Sequence, residues 1–223
     1  MSEINSKCFL FAGPTLYCAN RINALSTNGI HVLPPIKRGD IETAISAATA
    51  GVILIVDGNF HQCLSVGHAE IASAMSKGWV VWGLSSIGAI RAYEMRDMGM
   101  RGYGRVYNCF FGHYDFRDDE VALIHEPEPP YRAFTEPLVH IRFCLREFVD
   151  SGLLTDRQEK QLLDDLMRMW FGDRKLSHFR TMLIDLIPKR EKEVDATLGN
   201  FDRFRVKCHD LADFLRERPW TAH

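Results

Sequence analysis

Apolar residues gather in three short unbroken runs, each followed by a turn of small or acidic residues and then by a helical pattern. The runs lie in residues 8–16 (CFLFAGPTL), 52–60 (VILIVDGNF) and 80–94 (VVWGLSSIGAIRAYE). Runs of this length predict strands buried on both faces, and so a parallel sheet whose turns share one edge. In an open α/β sheet that carboxyl edge is where ligands bind and chemistry is done.

The pattern between the runs fills in the elements. A strand at 7–11 leads through Gly13-Pro14-Thr15 into a helix that reaches about residue 27 and ends at Asn28-Gly29. A short strand at 30–33 stops at Pro34-Pro35, and Asp40 is placed to cap a helix over 41–50. The strand 52–56 delivers Asp57-Gly58, a helix over 66–77 closes at Gly78, and residues 79–82 return to the sheet. After Gly102-Tyr103-Gly104 an aromatic, β-prone run extends to Phe111, and 121–125 reads as a further short strand. The prolines at 127, 129 and 130 mark a boundary, beyond which the spacing predicts helices over 136–150, 155–171, 176–187 and 192–218. The expected fold is α/β: a three-layer, mostly parallel open sheet in residues 1–130 with a C-terminal helical subdomain in 131–223.

Composition narrows the function classes. With 223 residues, 46% of them hydrophobic, the chain can bury a large core. A formal net charge of −2 disfavours nucleic-acid binding driven by phosphate neutralisation. No apolar stretch approaches the roughly eighteen residues that span a bilayer, and the opening MSEINSK has no signal-peptide apolar region. The expectation is a soluble cytoplasmic protein. Its six cysteines form no CxxC pair, so zinc ribbons are disfavoured, no metal or cofactor is expected, and free thiols are preferred to disulfides.

Candidate chemistry clusters after the runs. Residues 83–89 approach a GxSxG nucleophile elbow, but Ile87 stands where glycine is required. What remains is a helix start at Ser85 or Ser86, with Gly88 leaving its first turn uncluttered for an anionic group. Arg91 lies within two turns of it and Glu94 three residues further; a simple structural pair is the plainer reading of those two. Asp57 is either a base or a turn cap. His68, close to a helix start, is kept neutral and basic by the helix field. Glu70 projects from another face of that helix. Arg38 and Asp40 offer a guanidinium and a cap beside a stiff Pro-Pro approach. Gly13-Pro14-Thr15 lacks the spacing of a P-loop, and Asp118-Asp119-Glu120 reads as either a hard-cation site or a solvated turn. Cys18 and Cys63 follow edge turns, where an inert thiol outweighs a sulfur relay.

Taken in order, AGPTL (12–16), PPIKRGD (34–40), VDGNF (56–60), HAEI (68–71), SSIGAIRAYE (85–94), GMRGYGRV (99–106) and DDEVALIH (118–125) resemble the TfuA family, partners of YcaO enzymes in peptide thioamidation. The helical tail matches weakly through LVHIR (138–142), and Ile87 and Tyr93 depart from the family's usual residues. The resemblance implies hydrolysis of the C-terminal thiocarboxylate of a ThiS-like sulfur carrier, releasing sulfide for a YcaO enzyme that modifies a peptide natural product (RiPP). That chemistry suits the residues already singled out: His68, Asp57, Arg91 and Ser85 are the candidate catalytic groups, with His68 or Asp57 as the base and water preferred to a Ser85 or Ser86 adduct. The candidate substrate contacts are Gly13, Thr15, Arg38, Asp40, Gly58, Ser86, Gly88, Glu70 and Glu94. Two other readings stand beside it: a non-catalytic adaptor that activates YcaO, and a nucleotide-binding protein of flavodoxin-like topology.

Overall fold

The computed structural model describes residues 7–23, 25–48, 50–59, 63–112 and 117–221. Residues 1–6, read above for a leader, lie outside these, as do Ala24 and Thr49 in two expected helices and Phe60 of the second run. The strands are β1 (Lys7–Phe11), β2 (His31–Leu33), β3 (Gly51–Ile55), β4 (Val80–Leu84) and β5 (Arg101–Tyr103). The helices are α1 (Pro14–Asn23), α2 (Asp40–Ile45), α3 (His68–Ser76), α4 (Ile87–Glu94), α5 (Gly104–Gly112), α6 (Leu138–Asp150), α7 (Asp156–Arg168), α8 (Leu176–Leu186), α9 (Glu191–Gly199) and α10 (Val206–Glu217). Contacts divide the chain into two units, Met1–Phe116 with Lys207–His223, and Arg117–Val206.

The first unit holds an all-parallel, five-stranded open sheet in the order β2-β1-β3-β4-β5, so the fold is α/β as its apolar runs require. Leu10 lies beside Leu54, and Leu54 beside Trp82, which stacks the runs in register. One face, with Cys8, Leu10, Val52, Leu54 and Val56, packs against Ala19 of α1 and Leu211, Phe214 and Leu215 of α10. The alternate residues Phe9, Phe11, Ile53 and Ile55 are buried as well, because helices cover both faces.

Three local expectations give way to tertiary effects. The aromatic run after Gly104 is the helix α5, not a strand: Asp210 of α10 accepts the Val106 N–H at 2.9 Å and caps its first turn from 104 residues away. Residues 118–120 form a 3-10 turn, and 121–125 contributes only an isolated bridge, His125 to Ala133. The long helix expected over 192–218 breaks at Asn200 into α9, a 3-10 turn (Phe201–Phe204) and α10. The last of these clusters with the sheet unit, whereas the pattern had placed a single boundary near residue 130. Cys18 and Cys208 are joined as a disulfide with Cα atoms 5.9 Å apart, against the expectation of free thiols; Cys8, Cys63 and Cys144 are free.

The second unit is helical and encloses its own core, including Leu138, Ile141, Leu145, Phe148, Leu162, Leu166, Phe179 and Leu183. Its buried Arg174 donates to Asp119 Oδ2 (2.6 Å) and to the carbonyls of Asp119, Leu166 and Met169, which satisfies a guanidinium removed from water. Glu120 pairs with Arg142 at 2.7 Å; burial still pushes its carboxyl above the usual range, with the guanidinium opposing. The carboxylates of 119–120 are therefore engaged by arginines. Glu136 is the opposite case. Burial alone raises its pKa, but hydrogen bonds and charge from His140 and Arg205 outweigh burial and hold it below its ordinary value of 4.5.

Two outcomes follow from this packing. A Cβ at Gly88 would collide with the Ile55 carbonyl, so Gly88→Ala destabilises the protein by about 1–3 kcal/mol, read as a lower denaturant midpoint. Glu136 contributes stability that is fully present above pH 4.5 and is lost as pH falls through its lowered folded value. The unfolding midpoint of Glu136→Gln is accordingly reduced at neutral pH and depends less on pH in the acid range.

Candidate functional site

In this strand order the crossovers from β1 and from β2 leave in opposite directions, which places a topological switch point between the carboxyl ends of β1 and β3. A ligand crevice is ordinarily open at that point. Here Asp57 stands there, bonded to the turn after β1. Its Oδ2 accepts the N–H groups of Gly13 and Thr15, both at 2.9 Å, and its Oδ1 accepts the Thr15 hydroxyl at 2.6 Å. Asp57 and Thr15 are each 2% exposed. The carboxylate thus caps the start of α1 from a distant strand, and Gly13 and Thr15 are its partners.

The turn from β4 to α4 is equally committed. Ser85 adopts φ +65°, and the Ser86 N–H reaches back to the Leu84 carbonyl at 2.7 Å, which closes a tight three-residue turn around it. The Ser85 hydroxyl is fully buried and donates to the Lys207 carbonyl at 2.9 Å. Ser86 holds the N-cap position without a side-chain capping bond. Gly83 and Gly88 meet backbone to backbone, so α4 sits close on the sheet and the Gly88 N–H donates to Val56. Gly58 is packed between Ile36 and Ile87.

A second, more open constellation lies beside this edge. His68 Nε2 is 2.8 Å from Glu94 Oε2, and Arg91 donates to the same oxygen at 2.6 Å. The Arg91 Nε also donates to the Val66 carbonyl at 2.9 Å, which anchors the guanidinium to the segment leading into α3. Exposure grades outward, from 15% at Arg91 through 36% at Glu94 to 53% at His68, so the imidazole is the member presented to solvent. One carboxylate thereby joins α3 to α4 and orients the ring.

His68 lines a groove of about 600 Å³ with Arg38, Gly39, Glu42, Gly67, Ala69 and Glu70. Glu70 reaches across it: Oε1 accepts the Gly67 N–H at 2.8 Å and Oε2 the Gly39 N–H at 2.9 Å. The Arg38 N–H donates to the Leu64 carbonyl, while its guanidinium has no ion-pair partner among the described residues. Asp40 is the first residue of α2 and accepts the Lys37 N–H; the N-cap position itself falls to Gly39, in the left-handed conformation at φ +90°.

The structure therefore brings His68, Arg91 and Glu94 into direct contact and places Arg38 and Glu70 with His68 around one groove. It does not bring Asp57 or Ser85 to them: their side chains make their hydrogen bonds to the β1–α1 turn and to α10. Sequence reasoning missed Gly39 and Gly67. Gly67 was detectable, because glycine three residues before Glu70 is a helix-entry spacing; Gly39 was not, because its N–H partner lies 31 residues away.

Among the described residues no group of His, Cys, Asp and Glu could hold a metal ion, and no helix is long and apolar enough to cross a membrane. A comparison with curated proteins returns no match. The family model described as TfuA-like protein matches residues 57–175, which include α3, α4 and the His68–Glu94–Arg91 contact. That match covers more than half of the chain, and the chain belongs to the TfuA-like family.

Proposed function

We propose that this protein hydrolyses the C-terminal thiocarboxylate of a ThiS-like sulfur carrier and hands the released sulfide to a YcaO enzyme that thioamidates a peptide backbone. The observation that carries this reading is the Glu94 carboxylate shared by His68 and Arg91, with His68 lining a groove that also holds the Arg38 guanidinium, which has no ion-pair partner among the described residues. With Nε2–H directed to Glu94, the lone pair of His68 is on Nδ1, and Nδ1 takes a proton from water. The hydroxide equivalent attacks the thiocarboxylate carbon, and the charge on the tetrahedral oxygen is met by Arg38. The Nδ1 proton then passes to the sulfur as the carbon–sulfur bond breaks, hydrosulfide departs, and the carboxylic acid so formed gives its proton to solvent to leave a carboxylate. Arg91 supports Glu94, Asp57 holds the sheet edge, and Ser85 ties the β4–α4 turn to α10, so water is the nucleophile in this scheme.

A second reading, an adaptor that activates YcaO without chemistry, is favoured by one surface feature. Tyr93 and Phe111 contact edge-on at 5.0 Å, Arg96 lies 4.5 Å over the Tyr93 ring, and Phe111 and Met98 are about 60% exposed.

Purified protein given thiocarboxylated carrier is expected to release sulfide and unmodified carrier, with His68→Ala slower by about 10²–10⁴-fold, the usual contribution of a positioned base. Glu94→Gln retains shape but loses the charge that orients the ring, and falls between the two. Full activity in His68→Ala, with the fold intact by circular dichroism, sinks the assignment. Activation of YcaO supplied with free sulfide supports the adaptor instead.

A further inference from the structure

We infer that Glu70 is a positioning residue: it pins the arginine-bearing β2–α2 turn to the start of α3 and so sets where Arg38 stands relative to His68. The inference rests on the hydrolase reading for its kinetic consequence, but the geometry is independent of it. A glutamate at the third position of a helix commonly returns to cap its own first turn, and Oε1 does so by accepting the Gly67 N–H. The other oxygen goes elsewhere. Oε2 takes the N–H of Gly39, in a turn 31 residues earlier in the chain. Both oxygens face backbone donors, so this carboxylate is occupied and is not a ligand for an anionic substrate, which it would repel.

The consequence falls on Arg38. Its own N–H is held by the Leu64 carbonyl at 2.9 Å, and the next N–H along, that of Gly39, by Glu70. On the far side Asp40 accepts the Lys37 N–H. Backbone anchors therefore flank Arg38 closely, while its guanidinium is uncommitted among the described residues. The α2 helix is only six residues long and supplies little rigidity of its own. Gly39 sits at φ +90°, and a Cβ there would meet nothing within 4 Å, so no side-chain contact holds the turn at that residue. The charged acceptor on α3 adds the restraint that ties this turn to the helix that begins with His68.

The test is a double-mutant cycle on the full-length protein with Glu70→Gln, Arg38→Ala and the pair, read in two ways: steady-state sulfide release from thiocarboxylated carrier, and affinity for a synthetic peptide ending in a Gly-Gly carboxylate. Glutamine can accept only one of the two N–H groups and turns a donor toward the other. The Gly39 amide resonance is expected to move, and KM and peptide Kd to rise about tenfold, with kcat within about twofold of wild type. In the Arg38→Ala background the same change is expected to add almost nothing, since its effect runs through that arginine. Equal losses in both backgrounds, or a fall in kcat at constant KM, overturns the inference in favour of direct contact or of a structural role. If Glu70→Gln does not fold, Glu70→Asp substitutes: its shorter carboxylate keeps the charge and reaches one N–H, and an intermediate effect, again absent without Arg38, is expected. A wild-type protein that binds the peptide but releases no sulfide removes the hydrolase reading and leaves the affinity cycle to decide; one that does neither overturns both.

Discussion

A single buried carboxylate organises the carboxyl edge of this sheet. Asp57 ends the most apolar strand and accepts three hydrogen bonds from the β1–α1 turn, two from N–H groups and one from the Thr15 hydroxyl. A carboxyl group so deeply buried is tolerated only when its lone pairs are met in this way. Meeting them ties the segment after β3 to the turn after β1, at the point where the strand order reverses. A groove lies at the segments entering α2 and α3, where His68 and Arg38 stand.

Carboxylates do the organising there as well, each joining elements that the chain separates. Glu94 joins α3 to α4 through His68 and Arg91; Glu70 joins the start of α3 to the turn before α2. Both are partly exposed, so each bond alone contributes modestly to stability and is weakened by salt. Their value is geometric. They fix the imidazole at the start of α3 and the backbone of the turn that carries Arg38.

The turn carrying α4 is held from both ends of the chain. Glycines at 83 and 88 allow backbone contact that any side chain would forbid, and the carbonyl of Lys207 receives the Ser85 hydroxyl. The disulfide from Cys18 to Cys208 lies one residue beyond that carbonyl, and Asp210 caps α5 one turn later. The final helix thus belongs structurally to the sheet unit, although 90 residues of another compact unit, Arg117–Val206, intervene.

The unbroken apolar runs determined the parallel sheet, because a strand buried on both faces needs an apolar residue at every position, and that signal is local. The helical spacing of the tail was legible for the same reason. Ordered motifs also pointed to the family, and His68, Arg91 and Glu94 were recognisable as polar residues following edge turns. What the chain alone left open was which acid does what. Asp57, Glu70 and Glu94 are alike as letters, and their roles depend on which donors arrive from residues 26 to 44 positions away. The same holds for α5, whose β-prone aromatics became helical once Asp210 reached its first turn, and for Cys18, whose partner lies 190 residues on. Periodicity is written in neighbouring residues; hydrogen-bond partners across the chain are chosen only when the tertiary fold brings them within 3 Å of one another.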